Sequence, residues 1–146
     1  MIVTVAIFGV LALLATPALQ LVSQREKERE LRSALIQVRD GIDAYKRAAD
    51  QGRIRLQVGD SGYPKSLDEL FQGVPDQRSP QKQMIYFLRA LPRDPMYPDA
   101  SAPAPDTWFK RSYLSPPDEP AEGADVFDIH SRAERLGLNG VPYTKW

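Results

Sequence analysis

An α+β fold is predicted for this chain: one long N-terminal helix packed on a small antiparallel sheet, with long proline-rich loops. Three observations predict it. No charged side chain occurs between Met1 and Gln24, and a single apolar stripe at helical spacing follows over residues 31–49. Beyond that come short β-forming stretches separated by proline and glycine, with eight of the thirteen prolines lying between Pro92 and Pro120. Short extended pieces between such breakers read as strands and not as a second helical layer.

The first element is almost wholly apolar from Ile2 to Ala15. A helix of about 20 residues spans about 30 Å, the thickness of a hydrocarbon core, so segment 1–24 is expected to be transmembrane. Pro17 lies inside it, where it removes one helical hydrogen bond and is expected to kink or loosen the helix. A cleaved secretory signal with its small-residue site at Thr16-Pro17-Ala18 competes with this reading, as does a plain single-span anchor. No basic residue precedes the run, and it continues directly into a helical sequence, which favours a retained span.

Residues 25–51 are expected to form the amphipathic half of the same helix. Leu31, Leu35, Val38, Ile42, Tyr45 and Ala49 follow at steps of 4, 3, 4, 3 and 4, one apolar face on which a small domain packs. The mixed charges of 25–32 read as a solvated face with pairs such as Glu28 and Arg32. Arg25, Lys27, Arg29 and Arg32 all follow the span, so the positive-inside rule alone places the C-terminal part in the cytoplasm.

Residues 52–146 form the globular part, of a size for one modest core. Three glycines between Gly52 and Gly62 end the long helix, and Ser66-Leu67-Asp68-Glu69 is a capping-box sequence opening a short helix closed by Gly73 and Pro75. Met84–Leu91 is readable as helical turn or strand. Loop dominates 92–120, with extended pieces at Trp108-Phe109 and Arg111–Leu114, and Val126–His130 reads as a further strand. Asn139-Gly140 makes a turn that lets Tyr143 and Trp146 fold back onto the domain.

Composition excludes several kinds of chemistry. Nineteen basic residues balance nineteen acidic ones, so no global field recruits nucleic acid, and no cysteine is present for a disulfide, thiolate site or nucleophile. His130 is the lone histidine and reads as a packed residue at a strand end. Trp108-Phe109-Lys110-Arg111 reads as a sheet edge with snorkelling cations in preference to a single-strand nucleic-acid site. The acid pairs Asp68-Glu69 and Asp118-Glu119 read as a capping turn and a solvated loop, so the chain is expected not to be an enzyme.

Taken in order, Val5-Ala6-Ile7-Phe8-Gly9-Val10-Leu11-Ala12 with Pro17, then Gly62-Tyr63-Pro64 and Leu91-Pro92-Arg93-Asp94-Pro95, resemble the major pseudopilin of type II secretion within the type IV pilin-like family. Tyr113-Leu114-Ser115-Pro116, Phe127–Ser131 and Trp146 continue the same order, so the resemblance covers nearly the whole chain. It implies a pilin-like fold and a structural subunit of a pseudopilus that polymerises through its N-terminal helix and helps move proteins across the outer membrane. A minor pseudopilin, a type IV pilin subunit and a membrane-anchored periplasmic binding module are the alternatives. Gly9, Leu13, Leu14 and Pro17 would pack the helices of the filament, while Leu31, Leu35, Val38, Ile42 and Tyr45 hold the domain on its helix.

Partners implied are copies of itself, other pseudopilins and the inner-membrane secretion platform, with prepilin peptidase if a leader exists upstream, and no nucleic acid. The implied location is the inner membrane, single-pass, with the C-terminal domain periplasmic, against the charge rule. The family's basic leader, Gly-Phe cleavage point and following glutamate are missing from this sequence, and the true start is expected upstream of Met1. Many relatives bind calcium in a C-terminal loop, but here that stretch reads Arg132-Ala133-Glu134-Arg135-Leu136. Two arginines oppose a cation that wants about six to eight oxygens, so no cofactor is expected.

Overall fold

The structure is a computed structural model describing residues 2–146, with the side chains of Ala12, Leu14, Ala15 and Thr16 outside the described part. A single helix, α1 (Ile2–Asp50), runs for 49 residues, about 74 Å. It passes through Pro17 without a break. Pro17 has no N–H, so the Leu13 carbonyl has no helical donor there. The helix stops where Gly52 takes a left-handed φ of 71°. There Arg53 N–H reaches Ala48 O and Gly52 N–H reaches Ala49 O, each at 2.9 Å, the double bond of a Schellman cap.

The predicted short helix is α2 (Asp68–Gln72), ended by Gly73 at φ 88°. The capping box does not form. Leu67 occupies the cap position without a side-chain bond, and Glu69 instead accepts from Lys65 N–H at 2.9 Å, one residue earlier than the box requires.

Two small antiparallel sheets replace the single one expected. Strands β1 (Val74–Pro75) and β2 (Met84–Ile85) form a minimal pair, which resolves the strand-or-turn ambiguity at Met84. Strands β3 (Trp108–Arg111) and β4 (Asp128–Ser131) pair with Trp108 opposite Ser131 and Arg111 opposite Asp128. The period of two along a strand puts Trp108, Ile129 and Ser131 on the inner face, all fully buried, with Phe109 and His130 stacked on the other at 4.4 Å. Residues 112–114 leave the ladder as a turn, contrary to the extended reading of Arg111–Leu114.

The core lies between the second half of α1, α2 and the inner face of β3–β4. Leu31, Leu35, Val38, Ile42, Tyr45 and Ala49 are each at most 5% exposed, and Leu67, Leu70, Leu88, Trp108, Val126, Ile129 and Tyr143 belong to the same cluster. The long stripe and the small sheet thus bury each other, because neither has another apolar face to meet.

Candidate functional site

The first half of α1 presents a surface that nothing among the described residues covers. Eleven large apolar side chains between Ile2 and Val22 are 47% to 89% exposed, Leu13 among them at 76%. A Cβ built on Gly9 would meet nothing within 4 Å. Pro17 is exposed, and the Leu14 side chain lies outside the described part. Gly9, Leu13 and Pro17 therefore share an uncovered helix, while Leu31, Leu35, Val38, Ile42 and Tyr45 are buried under the domain. Among the described residues no helix is long and apolar enough to cross a membrane, and the expected span 1–24 includes Met1 and the side chains of Ala12, Leu14, Ala15 and Thr16, which lie outside them.

Between the two halves sits a polar node absent from the sequence reading. Glu28 is only 7% exposed, so the solvated-face reading of this residue and its pairing with Arg32 give way to a buried acceptor. Its Oε1 accepts from Tyr143 Oη at 2.8 Å and from Leu138 N–H at 2.7 Å, and Gln24 Nε2 donates to Tyr143 Oη at 2.9 Å. Burial raises the pKa of the Tyr143 hydroxyl; donation from Gln24 opposes this and the Glu28 carboxylate adds to it, so the phenol stays protonated and a donor. Arg32 lies over the Trp146 ring at 4.5 Å instead. Two turns beyond Arg32, Arg39 grips Asp128 at 2.7 Å and donates to the Ile129 and Trp146 main-chain oxygens, each at 3.0 Å. The C-terminal segment is thus closed onto α1 by hydrogen bonds and rings. The predicted Asn-Gly turn supplies the return, with Gly140 at φ 78° and Gly137 N–H bonded to Val141 O at 2.8 Å.

Two further polar clusters fix the loops. Asp94 is fully buried, accepting from Ser131 Oγ at 2.6 Å and Met96 N–H at 2.8 Å, while Thr107 Oγ1 takes its N–H at 3.0 Å. Asp125 accepts from Ser61 Oγ, from Ser112 Oγ at 2.8 Å and from Tyr113 N–H at 2.9 Å. Partial burial works against its charge, but these three donors outweigh it and hold its pKa below the usual carboxylate range. A group with a depressed folded pKa stabilises the fold above its unfolded value, about 3.9, and that contribution fades as pH falls below it. Asp125→Asn is therefore expected to lower stability at neutral pH and flatten the loss of stability as pH falls below about 4, read from urea midpoints at successively lower pH.

The remaining candidates are structural in their contacts. His130 Nδ1 lies 2.8 Å from Ser131 O, and Arg111 sits over the Phe127 ring at 5.2 Å and donates to Ser115 O. Among the described residues no group of three His, Cys, Asp or Glu side chains is placed to hold a metal ion. Compared with known proteins, the chain matches no family profile, no curated protein and no solved structure.

Proposed function

We propose that this chain is a structural, non-catalytic subunit that polymerises through the first half of α1, in the manner of a type II secretion pseudopilin, and is held before assembly in the inner membrane by that same segment. The observation that carries the reading is the division of one helix into a half buried by its own domain and a half whose described large apolar side chains are bare. An exposed apolar surface of this extent demands a cover, since each large side chain withdrawn from water contributes about 1.5–3 kcal/mol. A bilayer and a bundle of like helices both supply that cover, so a subunit can pass from one to the other without exposing apolar area to water. Gly9, with open space around it, is the position where a neighbouring helix approaches most closely. Heterologous contacts that do not close then extend into a filament. The cargo is secreted protein, and the globular domain faces the periplasm.

Cysteine trapping tests this cleanly, because the chain has no cysteine of its own. Val10→Cys paired with Leu21→Cys, oxidised in the native membrane, is expected to give a ladder of multimers that depends on the secretion machinery. Monomers only, in protein still bound to the membrane, would remove the polymer reading and leave an anchored periplasmic module.

A further inference from the structure

Residues 25–32 carry four basic and three acidic side chains, but the fold does not leave them evenly mixed. Steps of 4 and 3 set Arg25, Arg29 and Arg32 in one row on α1, while Glu26 and Glu30 are displaced about a third of a turn from it. Glu28 is buried, its Oε1 accepting from Tyr143 Oη and Leu138 N–H. All three arginines are exposed, and none pairs with a carboxylate among the described residues. Together with Glu28 they line a cavity of about 190 Å³.

The row suits an anion. Like charges three and four residues apart repel along a helix, so Arg29 is repelled from both Arg25 and Arg32, and a shared anion relieves this. Arg32 is also held in place, its guanidinium 4.5 Å over the Trp146 ring, a contact that fixes the plane and leaves the N–H edges free. Those edges match the paired oxygens of a phosphate, and three guanidinium groups outnumber the one Glu28 carboxylate beside them. The place of the row on α1 says which phosphate. Arg25 comes one turn after Leu21, where the bare apolar stretch ends at Val22. A bilayer covering that stretch has a headgroup layer of about 5–8 Å beyond its hydrocarbon, and the rise from Arg25 to Arg29 is about 6 Å. Helical side chains lean toward the N-terminus, which brings these cations back toward the bilayer.

We propose that Arg25, Arg29 and Arg32 bind the phosphate of an anionic phospholipid headgroup where α1 leaves the bilayer. The site rests on the membrane-held reading above and adds to it a lipid partner. A phosphate held here fixes how far α1 is immersed, on the same turn where Glu28 and Tyr143 close the C-terminal segment onto the helix.

The test places the full-length chain in phosphatidylcholine vesicles containing a trace of spin-labelled phosphatidylglycerol or spin-labelled phosphatidylcholine, and reads by electron spin resonance how much label the protein holds. Phosphatidylglycerol is expected to be held about fivefold more strongly, the factor that one basic side chain contributes at an anionic surface. Arg25→Gln with Arg29→Gln is expected to abolish the preference while leaving Arg32 on the Trp146 ring. Lys27→Gln with Arg47→Gln, exposed elsewhere on α1 and equal in charge removed, is expected to keep it. A vesicle-bound chain with no preference, or with one that the Arg25 and Arg29 variant retains, overturns this site and leaves the proposed function standing; if that variant also loses the Val10 and Leu21 ladder, the arginines serve acidic residues of another copy instead. Loss of the preference to added inorganic phosphate at constant ionic strength overturns the lipid as the source and gives the site to free phosphate. A chain that does not enter the vesicles overturns both readings.

Discussion

Trp108→Ala is expected to cost about 3–5 kcal/mol of folding free energy, the largest effect of any single change. The indole is fully buried where β3 meets the core, and its Nε1 donates to Pro92 O at 2.8 Å. Truncation leaves a cavity that the neighbours cannot collapse into. Two-stranded pairing between β3 and β4 is too small to hold without it, and it leaves the Pro92 carbonyl without its donor. A domain of this size has a total stability of the same order, so the globular part is expected to be largely unfolded at 37 °C. Urea titration of the detergent-solubilised chain, followed by circular dichroism, checks this. The first half of α1 should remain helical, because the buried core cluster begins only at Leu31. A midpoint within error of the unmodified chain would show that the sheet is not held by this residue.

Glu28→Ala is expected to be the second largest, about 3 kcal/mol, and to act locally. The change leaves the Tyr143 hydroxyl and the Leu138 N–H, both packed against α1, without the charged oxygen that accepts from them. An unsatisfied buried donor is worse than a missing bond, so the expected response is release of the segment from Leu136 to Trp146. Limited proteolysis or hydrogen exchange should show that segment opening while β3 and β4 stay protected. Glu28→Gln keeps one acceptor and is expected to lose roughly half as much. Uniform loss of protection across the domain would mean that Glu28 supports the whole core and not the closure of the C-terminus.

These two residues differ in how far the sequence exposes their roles. Trp108 sits in a short β-forming run between prolines, and local pattern is enough to place it in a strand. Glu28 sits in Arg-Glu-Lys-Glu-Arg-Glu-Leu-Arg, where every neighbour argues for a solvated face. Only its position one turn before Leu31, on the face that becomes the core, hints otherwise. That hint has no weight until a partner from 110 residues away is brought to it.

By itself the sequence determined what is local: the long helix, because the apolar run from Ile2 runs on, across Pro17, into the periodic stripe of residues 31–49; its end at Gly52; and the burial of that stripe from Leu31 to Ala49. It also placed β4 to within two residues, the start of β3 at Trp108, and the return of Tyr143 and Trp146 at Asn139-Gly140, but gave no strand at Val74–Pro75 and left Met84–Leu91 open. The tertiary structure alone decided what depends on contacts between distant segments: the split into two sheets, the burial of Asp94 against Ser131, the grip of Arg39 on β4, and the Glu28 node. The reason is physical. Hydrophobic period reports which face of an element leaves water, since that preference belongs to each side chain. A polar group is buried only where its partners arrive, and those partners are set by the path of the whole chain.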